Sequence, residues 1–305
     1  VRTDALTKQY GPVTALAGLS MSVPRGEIFG FLGPNGAGKT TAVKLLLGLA
    51  RPTSGEARVL GAAPSDLEMR RRIGYLPELF RYQDWLTARE VLALHCALAG
   101  LPRVRWSGAI DASLEIAGLT ARRDDRVGTY SKGMQQRLGL AVALVAEPDV
   151  VFLDEPTSAL DPVGRRDVRE VLRSLKARGA TVFLNSHMLS EVEQVCDRVA
   201  VVDRGRVVSL GTLAELLGGS RRVRIGVEAS TAALAAAAAA FGIVERAGST
   251  EIVIGGVEPG RIPDVVAALV AAGARIRSVA PESQTLEDRF LALLQEPDDA
   301  DSDHR

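Results

Sequence analysis

Eight consecutive residues, Gly33-Pro34-Asn35-Gly36-Ala37-Gly38-Lys39-Thr40, fit the spacing G-x-x-x-x-G-K-[ST] without a gap. Glycines in such a run let successive backbone N–H groups turn inward, so the loop can cradle phosphate oxygens at a helix start. At this spacing Lys39 is expected to reach the β- and γ-phosphates of a nucleotide, and the Thr40 hydroxyl to ligate Mg²⁺. Thr41 follows at the same helix start and is grouped with the loop as a nucleotide contact. Farther along, the apolar run Val150-Val151-Phe152-Leu153 ends in Asp154-Glu155. Open α/β sheets place their sites at the carboxyl ends of strands, where these two carboxylates would emerge. Asp154 is the candidate for the magnesium shell, and Glu155 for orienting and polarising an attacking water.

The surrounding pattern supplies elements to hold these groups. Residues 1–23 read as strand with a turn at Gly11-Pro12, and a strand from Glu27 to Leu32 runs into the glycine-rich loop and a helix from Lys39. Between Leu86 and Ala146 the pattern is helical, with Thr87 and Glu90 at capping-box spacing ahead of an apolar run. Short apolar strands are expected at Val150–Leu153 and Ala180–Asn185. Alternation of this kind implies a parallel sheet with crossover helices, an α/β fold. The composition shifts at Leu216-Leu217-Gly218-Gly219-Ser220. Beyond it come strand (222–228), an alanine-rich helix, strands at 243–245 and 251–254, a helix after Pro263, and strand (274–279). That order, βαββαβ, predicts a small ferredoxin-like α+β domain. The predicted division is 1–217, with a helical subdomain near 80–146, then 221–295, then an acidic tail over 296–305. A last helix is expected over Thr285–Leu294.

Composition narrows the field. The chain has 305 residues, 47% hydrophobic and 24% charged, the profile of a folded protein rather than a disordered one. Lys+Arg and Asp+Glu are both 37, so no net positive field favours nucleic acid as a partner. Local runs such as Arg70-Arg71-Arg72 and Arg122-Arg123 read as solvated helix surface. The two cysteines, Cys96 and Cys196, support neither a disulfide framework nor a zinc site. No run approaches the ~20 apolar residues that span a bilayer, so direct membrane insertion is not expected. A cytoplasmic location is expected, peripheral to the membrane through another chain.

A third motif, Tyr130-Ser131-Lys132-Gly133-Met134-Gln135-Gln136-Arg137, lies just before the Asp-Glu strand. It resembles the signature LSGGQ of ATP-binding cassette (ABC) proteins. With the loop, the Asp-Glu strand, Ser158-Ala159-Leu160-Asp161 and His187, it resembles an ABC nucleotide-binding domain across about residues 1–215. The resemblance implies a P-loop ATPase with an antiparallel β subdomain and a helical subdomain, using ATP and Mg²⁺. It also implies that two cassettes pair, as a homodimer or with a related cassette, and serve separate membrane-spanning permease subunits.

Residue by residue, the resemblance makes Tyr10 the aromatic that stacks on adenine, an ordinary turn tyrosine being the alternative. Ser131 and Gly133 match residues that bind the γ-phosphate of the partner's ATP; a serine N-cap at a helix start suits an anion. Asp161 matches the loop coupling two sites, and His187 the switch histidine at the γ-phosphate. His95, on an apolar helix, reads as a core or groove residue. Two departures stand out. Glu78 replaces the usual glutamine after Ile73-Gly74-Tyr75-Leu76-Pro77; it can still reach Mg²⁺ through oxygen but adds negative charge near the phosphates. In the signature, Lys132 and Met134 replace Gly and Gln. Both departures, and Thr285-Leu286-Glu287-Asp288-Arg289-Phe290, resemble the exporter branch that handles antibiotics, lipids, polysaccharides or sodium. The C-terminal segment carries no recognisable catalytic residue, so regulation or dimer support is expected of it. A non-transport ABC ATPase acting on a soluble macromolecule is the alternative; such relatives carry paired cassettes, coiled-coil insertions or cysteine-rich modules, which this sequence lacks. A phosphate-loop GTPase or kinase would leave Ser131-Lys132-Gly133 unexplained.

Overall fold

Three apolar pentapeptides, Ile28–Leu32, Val150–Asp154 and Thr181–Asn185, are buried along their whole length. Burial on both faces explains why they read as continuous apolar runs instead of alternating ones. The computed structural model describes residues 1–217, 222–282 and 285–295. It divides into two compact units, Val1–Leu213 and Ala214–Arg305. In chain order the first contains β1 (Arg2–Tyr10), β2 (Val13–Ser22), β3 (Ile28–Leu32), α1 (Lys39–Leu46), β4 (Ser54–Arg58), α2 (Leu67–Arg70) and β5 (Ile73–Leu76). Then follow α3 (Ala88–Leu98), α4 (Arg103–Ile116), α5 (Lys132–Leu144), β6 (Val150–Asp154), α6 (Pro162–Ala177), β7 (Thr181–Asn185), α7 (Leu189–Val195), β8 (Arg198–Asp203) and β9 (Arg206–Thr212). The short α8 (Leu213–Leu216) lies at the division.

The main sheet has the order β5-β6-β7-β3-β8-β9, parallel except for the antiparallel edge strand β9. A separate antiparallel sheet, β2-β1-β4, shares its core: Leu6, Leu16 and Leu19 cluster with Phe29, Phe31, Phe152 and Phe183. Phe183 sits at the centre of this cluster, with ring centroids 5.5, 5.1 and 5.2 Å from Phe29, Phe31 and Phe152. At Gly74 the sheet meets α5 so closely that an added Cβ would lie 2.0 Å from the Ala143 carbonyl oxygen.

The helical layer has its own core, built from Val91, Leu92, Leu114, Leu138 and Ala141. Its entry is fixed by Thr87: the hydroxyl accepts from Glu90 N at 3.2 Å while the Glu90 carboxylate accepts from Thr87 N at 2.8 Å. Two reciprocal bonds thus satisfy donors that a helix start otherwise leaves open. Tyr130 is buried, and its hydroxyl donates to the Arg122 carbonyl at 2.6 Å. That bond anchors the chain one residue ahead of Ser131. His95 is half-buried and meets the Tyr82 ring edge-on at 6.0 Å.

Arg70 departs from its expected place on a solvated face. It is half-buried, and its guanidinium donates to the carbonyls of Pro64 at 2.8 Å and Gly48 at 2.9 Å. The left-handed turn at Gly48 leaves a carbonyl that needs a donor, and Arg70 reaches it. Arg71, Arg72, Arg122 and Arg123 are surface residues in ion pairs.

The second unit contains β10 (Arg222–Val227), α9 (Ala232–Ala239), β11 (Ile243–Ala247), β12 (Glu251–Gly255), α10 (Ile262–Ala271), β13 (Ile276–Glu282) and α11 (Leu286–Gln295). Its antiparallel sheet runs β11-β12-β10-β13, the strand order of a ferredoxin-like fold, with Leu234, Val265 and Leu269 packed on Val223, Ile225 and Ile254. Of the expected junction and tail, residues 218–221 and 296–305 lie outside the described residues.

Phe183→Ala would remove the ring that three others contact, an expected loss of about 3–5 kcal/mol. Both tryptophans, Trp85 and Trp106, belong to the first unit. Their fluorescence should therefore report a lower urea midpoint for that unit; an unchanged midpoint would refute the ranking of this core.

Candidate functional site

The carboxyl ends of β3, β6 and β7 lie side by side because parallel pairing puts Asp154 opposite Asn185 and Phe31 opposite Asn185 on the other side. A cleft of about 590 Å³ opens there. Asn35, Gly36, Gly38, Lys39, Thr40, Thr41, Glu78, Asp154, Glu155 and His187 all line it.

Gly38 takes φ 96° as the residue before α1, a conformation that glycine adopts without strain. A Cβ there would stand 2.3 Å from the Ala15 carbonyl oxygen. Lys39 bonds to its own loop: Nζ donates to the Gly33 carbonyl at 2.7 Å and the Pro34 carbonyl at 3.0 Å. Ala37 N–H also donates to Pro34 O, at 3.2 Å, closing the turn.

Asp154 and Glu155 are 4% and 8% exposed. Asp154 Oδ1 accepts from Asn185 Nδ2 at 2.6 Å. Glu155 has φ 53°, a left-handed backbone that costs a non-glycine residue about 1–3 kcal/mol. Its neighbours hold it there: Glu155 N donates to Asn185 O at 2.9 Å, and Glu155 O accepts from Gln136 Nε2 at 3.2 Å and Ser158 Oγ at 3.1 Å. The side chain is therefore turned from the strand line toward His187. Glu155 Oε1 accepts from His187 N at 2.8 Å, and Oε2 lies 2.8 Å from His187 Nδ1. The imidazole itself is largely exposed, 68% of its side-chain surface.

Ser131 caps α5, its hydroxyl accepting from Met134 N at 3.2 Å. Gly133, the second residue of that helix, packs toward the loop before α6, its added Cβ falling 3.6 Å from Ala159 O and Leu160 Cδ2. Asp161 caps α6 through Gly164 N at 2.8 Å, with Pro162 at the first helical position. None of Ser131, Gly133 and Asp161 lines the cleft. Tyr10 does not line it either; the ring is half exposed beneath Lys8, whose Nζ stands 4.8 Å from its centroid. Its strand partner Val13, with Thr14 and Ala15, does line the cleft.

Residues 16–158 match the family model described as ABC transporter. An uncharacterized ABC transporter ATP-binding protein of Synechocystis is 40% identical over 287 residues, 93% of this chain and 79% of that protein. The chain belongs to the ABC transporter ATP-binding proteins. A fluoroquinolones export ATP-binding protein of Mycobacterium tuberculosis is 40% identical over 235 residues, covering 75% of this chain and 76% of the relative. A solved dimeric ATP-binding cassette in a post-hydrolysis state, with ADP and phosphate bound, superposes with a TM-score of 0.64 at 25% identity, covering 70% of this chain and 98% of that one.

The fold is accordingly that of an ABC ATPase, and the chain is an ATP-binding subunit of that family. No helix among the described residues is long and apolar enough to cross a membrane. Within the cassette, burial pulls the Lys39 ammonium below the ordinary lysine range, while the Glu155, Asp154 and Glu78 carboxylates push it back up. Burial raises Asp154 first; Glu78 and Glu155 raise it further, and the bond from Asn185 and the charge of Lys39 oppose them. The cleft thus holds more negative charge than one lysine offsets. Thr40, Glu78 and Asp154 offer oxygen donors only, a set suited to a hard cation that keeps waters and shares phosphate oxygens. Among the described residues no three of His, Cys, Asp and Glu group as a metal cage.

Sequence reasoning missed Val13–Ala15, Asn185 and Gln136 as parts or supports of this site. Asn185 carried a legible signal, a polar amide closing an otherwise apolar strand. Gly38→Ala should raise the Kd for ATP at least about tenfold through backbone strain of ~1–3 kcal/mol, with circular dichroism unchanged. Parent-like calorimetric binding by this variant would show that the loop tolerates the Cβ.

Proposed function

We propose that this cassette binds and hydrolyses Mg²⁺-ATP to power export of a substrate through separate membrane-spanning subunits, working as a homodimer or with a paired cassette. The observation that carries the reading is the convergence of the glycine loop, Lys39, Asp154, Glu155 and His187 on one cleft, while Ser131 and Gly133 open elsewhere.

In this reading the loop from Gly33 to Gly38 and the start of α1 cradle the phosphates, with Thr40 and Thr41 at their edge. Lys39 leaves the Gly33 and Pro34 carbonyls for the β- and γ-phosphates, exchanging neutral acceptors for charged ones. Tyr10 offers its outer face to adenine, Lys8 covering the other. Thr40, Asp154 and Glu78 hold the cation, which when bound neutralises phosphate charge as the γ-phosphoryl group departs. Glu155 accepts a proton from the attacking water as it orients it. His187, fixed through Nδ1–H to Glu155, presents its other ring edge to the γ-phosphate. Ser131 and Gly133, with the open N–H groups of the first turn of α5, meet the γ-phosphate of a partner's ATP, and Asp161 lies on the loop that joins the two sites. The dimeric state of the solved cassette and the export role in the name of the mycobacterial relative support this assembly and direction.

Glu155→Gln keeps shape and hydrogen bonding but removes the proton acceptor. Turnover should fall about 100-fold or more, while ATP stays bound. With ATP in excess this variant should elute as a dimer, held by nucleotide between two faces, and return to monomer with ADP. Near-normal turnover would sink the role of Glu155; an ATP-loaded variant that stays monomeric at high concentration would sink the composite site.

A further inference from the structure

β7 is buried from end to end, and another apolar residue after Thr181-Val182-Phe183-Leu184 would suit its surroundings. Asn185 stands there instead, 4% exposed, and the parallel register sets it opposite Asp154. Its Nδ2 donates to Asp154 Oδ1 at 2.6 Å, and its backbone carbonyl accepts from Glu155 N at 2.9 Å. The remaining polar atom, Oδ1, is buried and accepts no hydrogen bond. Turning the amide over would bring that oxygen against the carboxylate, acceptor facing acceptor. Asp154 therefore dictates the orientation, and the fold carries an unsatisfied oxygen to keep it. Most buried amides are satisfied on both atoms; within the protein this one is satisfied only on the side that touches Asp154.

We propose that Asn185 is a positioning residue for the cation-binding carboxylate: its N–H occupies Asp154 Oδ1 and fixes the rotamer, so that Oδ2 alone is offered to a divalent cation arriving with nucleotide. The inference rests on the reading of Asp154 as the cation carboxylate. Partners that orient a ligating side chain raise metal affinity by about 10–100-fold, and Asn185 occupies that place for Asp154. Its backbone bond to Glu155 links the same residue to the turn that aims the neighbouring carboxylate.

The test uses the full chain and the nonhydrolysable analogue AMP-PNP, titrated by calorimetry in EDTA and again in excess Mg²⁺. Asn185→Leu keeps the volume and removes both polar atoms. Affinity in EDTA should stay at the parent value, while the gain in affinity on adding Mg²⁺ shrinks about tenfold. The thermal midpoint of the ligand-free protein should not fall, because the unsatisfied oxygen leaves with the amide. Asn185→Ser, whose hydroxyl is too short to reach Asp154, should show the same reduced gain and covers the case in which the leucine variant does not fold. An undiminished Mg²⁺ gain in either folded variant overturns the proposal, as does an equal loss in EDTA and in Mg²⁺. Asp154→Asn separates the two readings. If the Mg²⁺ gain survives there, the assignment of Asp154 fails; if it is lost there but intact in the Asn185 variants, only the role of Asn185 fails.

Discussion

The cleft depends on keeping Asp154, Glu155 and Glu78 beside a single lysine in partly desolvated ground. Burial alone shifts Asp154 up and Lys39 down, each toward its neutral form, and mutual attraction is what opposes both shifts. Such a cluster persists only where the backbone leaves it no way apart. The parallel register of β6 and β7 provides that, locking Asp154 beside Asn185, and the left-handed turn at Glu155 is held by bonds from three sides. Adding phosphates to this surplus of negative charge would be repulsive without a cation. In the proposed reading, the oxygen-only donor set of Thr40, Glu78 and Asp154 would hold that cation. Glu78, where the family usually has glutamine, sharpens the need for it.

Local chemistry made much of this legible in the sequence. The glycine loop announces itself because each glycine answers a backbone requirement within a few residues, as Gly38 does at φ 96°. The capping box at Thr87 and Glu90 and the βαββαβ order of the second unit are likewise written in short-range pattern. What escaped depends on contacts between distant segments. Val13–Ala15 reach the cleft only because the β1–β2 hairpin folds back beside the loop, with Ala17 N donating to Gly205 O at 3.0 Å. Gln136, read as part of the signature, also reaches the Glu155 carbonyl, and nothing in its spacing shows that. Arg70 sits in a run of three arginines, yet it alone of them turns inward to serve the carbonyls of Gly48 and Pro64. Charge runs report average exposure; a single unsatisfied carbonyl decides the exception.

The reactive groups of the cleft are also engaged with one another and with the loop. Lys39 is spent on loop carbonyls, and both Glu155 oxygens are engaged by His187, one by its backbone N–H and one by Nδ1. A water awaiting deprotonation must share or displace one of these bonds. Lys39 is released by the phosphates themselves, since a charged acceptor outcompetes a carbonyl. In the proposed reading Glu155 has its trigger in the same cleft, the γ-phosphate that His187 faces. The exposed imidazole is the part free to move, and a γ-phosphate within reach of it would draw His187 off the carboxylate. Asp161 is the N-cap of α6. Arg169 Nη1 donates to both Glu191 carboxylate oxygens, at 2.9 and 2.7 Å, in a largely buried ion pair that ties α6 to α7, which begins two residues after His187. The ion pair thus links the helix that Asp161 caps to the helix that follows the His187 segment. In the proposed reading, the base is therefore freed only when His187 gives up its two bonds to the carboxylate.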